Sequence, residues 1–230
     1  MTKINVMNEN NKKTVSVQHN FWQRKTTARD INHPVVSFFV NQRIQFISKF
    51  ISLNKINSVL DVGSGRGHIS KYLSKNSSIT ATDFSSTQLK RNPIKNKAVS
   101  TSELLPFEDQ SFSLVNEWEL LHHIPEPKKT VEEMARVAKD YLILFEPKRQ
   151  NPGQFFFSLK KKEERNVLKY HKKMMYKLVK DINLDIIECK TVGVVFPNRM
   201  PLFFLPIAKK IPFELPIIGL SNIIICKRKK

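Results

Sequence analysis

The 230-residue chain has only two cysteines, Cys189 and Cys226, and no Cys-x-x-Cys pair. Neither lies at a spacing from histidine that is typical of a zinc site, so we expect two reduced thiols and no bound metal. Acidic residues are also scarce, since 20 Asp and Glu stand against 39 Lys and Arg, a formal charge of +19. This excess suits an anionic partner such as nucleic acid or a membrane surface, but a general compositional bias toward lysine explains it equally well.

Long apolar runs are missing as well. Residues 1–13 are rich in Asn and Lys and contain no apolar segment that would indicate a signal peptide or an anchor. The most apolar region, residues 201–226, is interrupted by prolines and charges and never reaches the ~18 apolar residues of a spanning helix. With the reduced cysteines, these absences predict a cytoplasmic protein. Peripheral membrane contact stays open because the C-terminal third is both apolar and basic.

What the chain does contain is an alternation of strand-like and helix-like segments. Helical patterns cover residues 34–51 and 127–138, and a long basic helix is predicted over 159–181. Strands are predicted at residues 58–61, 79–83, 98–100, 112–118, 141–145, 184–195 and 222–227. Several of these strands are continuous apolar runs, which is typical of a parallel sheet covered on both faces. The pattern predicts a doubly wound α/β fold.

The length fits one such domain. We expect it over residues 56–230, with an apolar insertion at about 196–219. Residues 1–55 would form an N-terminal tail and a leading helix.

A glycine-rich turn follows the first predicted strand. Residues 59–67 are Val-Leu-Asp-Val-Gly-Ser-Gly-Arg-Gly. Because glycine has no Cβ, a ligand can approach such a turn closely, and Asp61 is suited to accept from a ligand's ammonium group. The spacing differs from the Gly-x-Gly-x-x-Gly of dinucleotide loops. A turn without a ligand is the alternative interpretation.

Asp83 ends the second predicted strand, about twenty residues further on. An acid at this point accepts ribose hydroxyls in dinucleotide-binding folds, although a lone Asp can also cap the next helix. Because Asp61 and Asp83 end adjacent strands beside the glycine turn, the combination favours a site for adenosine and a positively charged group.

With these features the sequence resembles the class I S-adenosylmethionine (SAM)-dependent methyltransferases, in particular the small-molecule group that includes quinone and sterol methyltransferases. Four stretches in order carry the resemblance: residues 59–67, 83–89, 102–115 and 119–137. It implies SAM as methyl donor, S-adenosylhomocysteine as product, and a Rossmann-like seven-stranded, mostly parallel sheet with helices on both faces and an antiparallel closing strand.

The resemblance also implies roles for individual residues. The methionine part would be held by Asp61, Gly63, Ser64 and Gly65, the ribose by Asp83, and the adenine by Phe84, Ser102 and Glu103, while Trp118 and Glu119 would approach the sulfonium. Thr101 stands where the family usually has an adenine-binding Asp, so that contact would be weaker. Lys139-Asp140 replaces the family's turn before the fifth strand. Segments ahead of the leading helix often form a lid in this family, which places His19, Trp22 and Arg29 near the cofactor or in ordinary surface packing.

Methyl transfer depends mainly on positioning, and a base helps only when the acceptor must lose a proton. Glu119, His122 and His123 are the candidate catalytic residues, although histidines in this segment also serve as packing residues. Glu146 ends the fifth strand, where it would contact the acceptor or cap a turn. The chain lacks the Asn-Pro-Pro-Tyr motif of many base-directed amino methyltransferases.

The sequence says less about the methyl acceptor than about the donor. The apolar insertion either closes the domain's own core or forms a pocket or interfacial patch for a small-molecule or lipid-like acceptor, with Lys160, Lys161, Lys162, Lys172 and Lys173 facing anionic lipid. RNA methylation by the basic surface is a second hypothesis, but no RNA-binding module is recognisable. A non-catalytic SAM-binding protein is the third.

Overall fold

The computed structural model describes residue 21, residues 29–73 and residues 77–229. His19 and Trp22 of the predicted lid lie outside the described residues. A seven-stranded sheet forms the centre of the protein: β1 (Ser58–Val62), β2 (Ser78–Asp83), β3 (Asn96–Val99), β4 (Phe112–Trp118), β5 (Ala138–Pro147), β6 (Leu184–Val192) and β7 (Ser221–Arg228). The strand order is β3-β2-β1-β4-β5-β7-β6.

Strands β1 to β5 pair in parallel, whereas β7 is antiparallel to both β5 and β6. This confirms the predicted Rossmann-like fold with its antiparallel closing strand. The helices are α1 (Pro34–Ile47), α2 (Ser70–Leu73), α3 (Ser86–Lys90), α4 (Pro127–Val137), α5 (Pro152–Lys160), α6 (Lys172–Val179) and α7 (Leu205–Ala208). Short 3-10 segments lie at Leu53–Lys55, Leu121–His123, Lys162–Lys169 and Leu202–Phe204.

The sheet buries both faces because its strands are apolar on both sides. One core contains alternate strand residues, such as Val59 and Ile143, packed against α1. The other contains the intervening residues, such as Leu60 and Leu142, packed against α4 and α6. Period-2 alternation of side chains sends neighbouring residues to opposite faces, so a continuous apolar run builds two cores.

The leading helix begins where Pro34 occupies its first turn and the His33 side chain accepts a hydrogen bond from the Val35 amide at 3.2 Å. It ends at Ile47, four residues before the predicted end, where the Ser48 hydroxyl donates to the Ile44 carbonyl. Its buried face, including Val36 and Val40, packs on the sheet. This helix is therefore part of the core.

Two sequence predictions about local structure were wrong. The long basic helix over 159–181 is three segments, because Lys161 and Tyr170 adopt extended backbone conformations and His171 caps the N-terminus of α6. Val167 and Tyr170, at the end of the middle segment, are both buried in the core. Lys139 and Asp140 do not form a turn but lie inside β5, which starts at Ala138 directly after α4.

Parallel strands end at the same edge of the sheet. The glycine turn after β1, Asp83 at the end of β2, Trp118 at the end of β4 and Glu146 at the end of β5 are thereby brought together. No helix among the described residues is long and apolar enough to cross a membrane.

Candidate active site

A cavity of about 790 Å³ opens at this edge. Its wall contains the glycine turn, the ends of β2 and β4, and residues of α5 and of the segment after β6. Cavities of 300 to 1,000 Å³ are typical of sites for small molecules. The fold therefore places nearly all the residues singled out from the sequence around one space.

The glycine turn needs its glycines for two different reasons. Gly63, Gly65 and Gly67 have φ angles of +67°, +50° and +75°, which side chains rarely adopt. A Cβ at Gly63 would lie 2.6 Å from the Leu120 side chain, and one at Gly67 would lie 2.4 Å from that of Asn92. A Cβ at Gly65 would meet no protein atom within 4 Å. Gly63 and Gly67 are thus required for packing against protein side chains. Gly65, by contrast, borders a space that no protein atom fills.

Asp83 is tied to this turn. Its carboxylate accepts hydrogen bonds from the Gly65 amide at 2.9 Å and the Ser85 amide at 2.8 Å. Burial raises the pKa of Asp83, and these two hydrogen bonds act in the opposite direction. The side chain lines the cavity while it holds the turn in place.

Asp61 lies beneath the turn and is not among the cavity-lining residues. The side chains of Ser70 and Asn116 donate to its two carboxylate oxygens, the latter at 2.8 Å. Burial raises the pKa of Asp61 to about 7, although both hydrogen bonds oppose the shift. In this conformation Asp61 supports the loop from below.

A second part of the wall contains Phe84, Ser102 and Glu103, together with Ser64 of the glycine turn. The hydroxyl of Ser102 lies 3.1 Å from that of Thr130 on α4. Burial raises the pKa of Glu103. The structure thus brings together the polar and aromatic residues that the sequence predicted at this end.

Trp118 and Glu119 form the middle of the wall. The Trp118 ring stacks on that of Phe145 with centroids 4.9 Å apart, and its buried Nε1 has no hydrogen-bond partner among the described residues. Glu119 adopts a φ of +58°, a conformation that costs a non-glycine residue about 1–2 kcal/mol. Its side chain is exposed toward the cavity, and the surrounding protein raises its pKa. The fold thus maintains a strained acid beside an unsatisfied donor.

His122 is enclosed by carboxylates. Its Nδ1 lies 2.7 Å from Oε2 of Glu146, and its Nε2 lies 3.4 Å from Oε2 of Glu164. Burial alone would lower the pKa of His122, but the charge of Glu146 and hydrogen bonds to both acids outweigh it and raise the pKa to about 10. An imidazole that is already protonated cannot accept a proton at neutral pH. Of the two histidines, His123 is therefore the candidate base.

Glu146 caps the 3-10 segment after β4 and not the turn that follows β5. It is fully buried and accepts hydrogen bonds from the backbone amides of Leu121 at 2.7 Å and His122 at 3.2 Å. Glu117, also fully buried, accepts from the amides of Leu120 and Phe145. Burial raises the pKa of Glu117 well above its usual range, and the neighbouring Glu146 charge adds to the shift.

Behind this wall lies a buried cation. The Arg43 guanidinium stands 3.3 Å from the centroid of the Phe39 ring and 4.2 Å from that of Phe145, and it donates to the Phe39 carbonyl. Burial lowers the pKa of Arg43 to about 9, with the charge of Glu119 acting against the shift. The group therefore keeps its charge at neutral pH and offsets part of the acidic cluster.

The remaining wall is largely apolar and contains Phe157, Val195, Phe196, Pro197 and Leu220. The chain ahead of α1 touches it, because the Arg29 side chain donates to the carbonyls of Pro197 at 3.0 Å and Met200 at 2.7 Å. The Arg29 carbonyl lies 3.2 Å from Nε2 of His68, which lines the opposite part of the cavity.

Sequence reasoning missed Glu117, Glu164, Arg43 and Phe157. Glu164 lies in the segment 159–181 that was predicted as one continuous helix, and Phe157 lies just before it, so their approach to the cavity had no sequence signal. An arginine on the apolar face of α1 is a signal that could have identified Arg43.

Known proteins resemble the chain in sequence and fold. Residues 60–144 match the family model described as a methyltransferase domain. The ubiquinone biosynthesis O-methyltransferase of Hahella chejuensis is 24% identical over 161 residues, 64% of each protein. That of Coxiella burnetii strain Dugway 5J108-111 is 30% identical over 106 residues, which are 42% of this chain and 45% of the relative. The chain thus spans less than two thirds of these relatives' length.

Two solved structures share the fold. Magnesium protoporphyrin IX methyltransferase of Synechocystis PCC 6803 with bound SAM superposes with a TM-score of 0.62 at 13% identity, covering 99% of this chain and 100% of that one. A SAM-dependent methyltransferase of Archaeoglobus fulgidus gives a TM-score of 0.63 at 13% identity, covering 84% and 94%. At this identity the likeness concerns the fold alone. Residues 60–144, with the glycine turn, therefore form a methyltransferase domain, and the chain has the fold of the SAM-dependent methyltransferases.

Proposed function

We propose that the protein transfers a methyl group from SAM to an oxygen of a small hydrophobic or lipid-like acceptor. One observation carries the proposal: a single cavity joins the polar wall around the glycine turn to the apolar wall around Phe157 and Phe196. The polar end suits the donor, and the apolar end suits the acceptor.

The polar end fits SAM in three respects. The open space beside Gly65 admits a ligand close to the backbone, and Asp83 presents a carboxylate to a ribose. Phe84, Ser102 and Glu103 would face the adenine, and Ser64 the methionine part. Asp61 would act from beneath by holding the turn.

SAM supplies a methyl group that its sulfonium already activates, so the protein's task is to align the acceptor and exclude water. A hydroxyl acceptor also loses a proton. Glu119 and His123 line the cavity between its two ends and are suited to take that proton. His122 cannot serve as this base because it is already protonated. It would instead help to position Glu119 and His123, which lie in the same segment.

The acceptor's character follows from the apolar wall and from the surface next to it. Large side chains are exposed on and near the predicted insertion: Phe155, Phe156, Leu159, Leu202, Phe203, Phe204, Ile207, Ile217 and Ile218. The segments that bear them are joined, since Asn151 donates to the Ile218 carbonyl and the Arg199 guanidinium stands 3.8 Å from the Phe157 centroid. An exposed apolar surface with nearby Lys160, Lys161, Lys209 and Lys210 suits an anionic lipid surface.

Two further points support the proposal. The relatives with matching sequence are named as ubiquinone biosynthesis O-methyltransferases, and an oxygen on a hydrophobic acceptor agrees with that name. The Arg29 contacts with Pro197 and Met200 support a role of the chain ahead of α1 in covering the cavity.

The test is transfer of a labelled methyl group from SAM into fractionated cell extract. We expect label in the lipid-soluble fraction, as an alkali-stable methyl ether. Label in RNA instead would favour the hypothesis of an RNA methyltransferase. SAM binding without label in any fraction would favour a binding protein.

A further inference from the structure

The end of the sheet opposite the active site holds a second cavity, of about 450 Å³. The segment before β1, the start of β5 and the end of β7 form its wall, and Asp140 is the one acid among the described residues that line it. Five of these nine lining residues carry a positive charge: Lys55, Lys139, Lys227, Arg228 and Lys229. We propose that this basic cavity binds a small ligand that carries two or more phosphate groups.

The pairing of β5 with β7 brings these cations together. Because β7 is antiparallel to β5, the end of β7 lies beside the start of β5, and Lys227 stands opposite Tyr141. Lys139 follows directly after the first residue of β5, at the point where the family that the sequence resembles has a turn. Lys139, Lys227 and Arg228 are thus anchored on regular strands and not on loops.

The protein compensates few of these charges. Lys55, Lys139 and Lys227 form no ion pair within 4.0 Å among the described residues, and Lys229 has one long ion pair, with Asp185 at 3.7 Å. Cations that share a cavity repel one another. A bound anion would therefore stabilise the arrangement.

Two of the cations are held in place by other parts of the protein. Nη2 of Arg228 donates to the carbonyls of Ala135 and Ala138 at the end of α4, whereas Nη1 has no hydrogen-bond partner among the described residues. The ammonium of Lys227 lies 5.9 Å from the centroid of the Tyr141 ring. Side chains that the protein already orders lose less conformational freedom when a ligand binds, so these contacts favour binding.

The number of cations indicates the class of ligand. One carboxylate supplies a single negative charge and one phosphate group at most about two, which would leave most of the five cations unmatched. Two or three linked phosphates supply a matching charge, and lysine and arginine are the usual phosphate ligands. The volume of the cavity is also in the range of sites for small molecules.

The basic cavity is well separated from the active site. Strand β5 runs from this cavity, at Lys139, to the active-site cavity, at Pro147. At about 3.3 Å per residue, the two positions are about 25 Å apart. The phosphorylated ligand is therefore neither SAM nor the methyl acceptor, and the inference does not depend on the proposed function.

The test is calorimetric titration of the full chain with inorganic triphosphate at physiological ionic strength. We expect one triphosphate per chain, with the same affinity in the presence of SAM, and much weaker binding of orthophosphate. The double variant Lys139→Gln, Lys227→Gln should bind triphosphate about tenfold or more weakly, because two charge-assisted contacts are lost. The matched control is Lys95→Gln, Lys97→Gln, which changes two exposed lysines at β3 and should stay within about twofold of wild type, because distant surface charges are screened.

Both double variants carry the same net charge, so a general attraction of anions to the basic protein would affect them equally. Circular dichroism shows whether they are folded, and both should bind SAM as tightly as wild type. The inference is overturned if the wild type binds no stoichiometric triphosphate, if the two variants lose affinity equally, or if orthophosphate binds as tightly as triphosphate. It is also overturned if a single-stranded RNA oligonucleotide binds more tightly than triphosphate and is weakened by Lys139→Gln, Lys227→Gln, since the cavity would then belong to a nucleic-acid surface.

Discussion

The carboxylate of Glu146 at the end of β5 joins Nδ1 of His122 at 2.7 Å to the backbone amides of the segment after β4. It thereby fixes the turn that carries Glu119 and both histidines. We expect Glu146→Gln to lower the free energy of unfolding by roughly 3 kcal/mol, because removing one partner of a buried pair leaves the other without compensation. Urea denaturation measures the change, and Glu132→Gln on the exposed face of α4 should stay within about 0.5 kcal/mol of wild type.

Asp61 has a pKa of about 7 in the folded protein because of burial, well above its ordinary value of 3.8. A folded-state pKa above the unfolded one means that the native state binds the proton more tightly. The stability of the wild type should therefore fall as the pH rises from about 4 to 7, by an amount of order 4 kcal/mol from this group. Urea unfolding at several pH values should show that Asp61→Asn removes this part of the slope. An identical slope in the variant would contradict the assignment.

Gly65 leaves the open space at the glycine turn. A methyl group there meets no protein atom, so Gly65→Ala should destabilise the fold only through its positive φ, by about 1 kcal/mol. SAM affinity should fall much further, by about tenfold or more, because the methyl group would occupy the side on which the ligand approaches. Gly193→Ala is the matched control, since Gly193 also has a positive φ of +77° but does not line the cavity. Equal affinity losses in both variants would argue against ligand approach at Gly65.

Phe203 and Ile217 are 73% and 83% exposed on the apolar surface beside the cavity. The double variant Phe203→Ser, Ile217→Ser should release the protein from vesicles that contain phosphatidylglycerol, with unfolding unaffected. Sedimentation with vesicles measures the bound fraction. Val99→Ser, at the β3 edge and 63% exposed, should bind like wild type. Equal sedimentation of the two variants would place the lipid contact elsewhere.

The fold and the cavity wall around the glycine turn were largely predictable from sequence. Apolar runs such as Val59–Leu60 and the glycine turn depend on local rules of sheet burial and backbone conformation. Asp83, Phe84, Ser102 and Trp118 follow strand ends in order, so the parallel sheet alone brings them together. The role of Asp61 was less predictable, because hydrogen bonds to Ser70 and Asn116 turn its carboxylate away from the cavity.

The cavity wall around His122 and Phe157 was not predictable, because it depends on contacts between distant segments. A basic stretch with helical spacing predicted one helix, yet extended backbone at Lys161 and Tyr170 divides it, and its middle segment brings Glu164 to His122. The charge state of His122 follows from that contact and from Glu146. Only the tertiary structure therefore shows that His122 differs from its neighbour His123 in being enclosed by carboxylates.

The central claim is that the cavity edge formed by the glycine turn and Asp83 binds SAM. Calorimetric titration of the full chain with SAM tests it most directly, with Asp83→Asn as the variant and Asp140→Asn on the opposite end of the sheet as the control. We predict one SAM per chain for the wild type and the control, and affinity at least about tenfold lower for Asp83→Asn, since a ribose would lose a charged acceptor. Absence of SAM binding by the folded wild type, or equal affinity in Asp83→Asn, would contradict the claim.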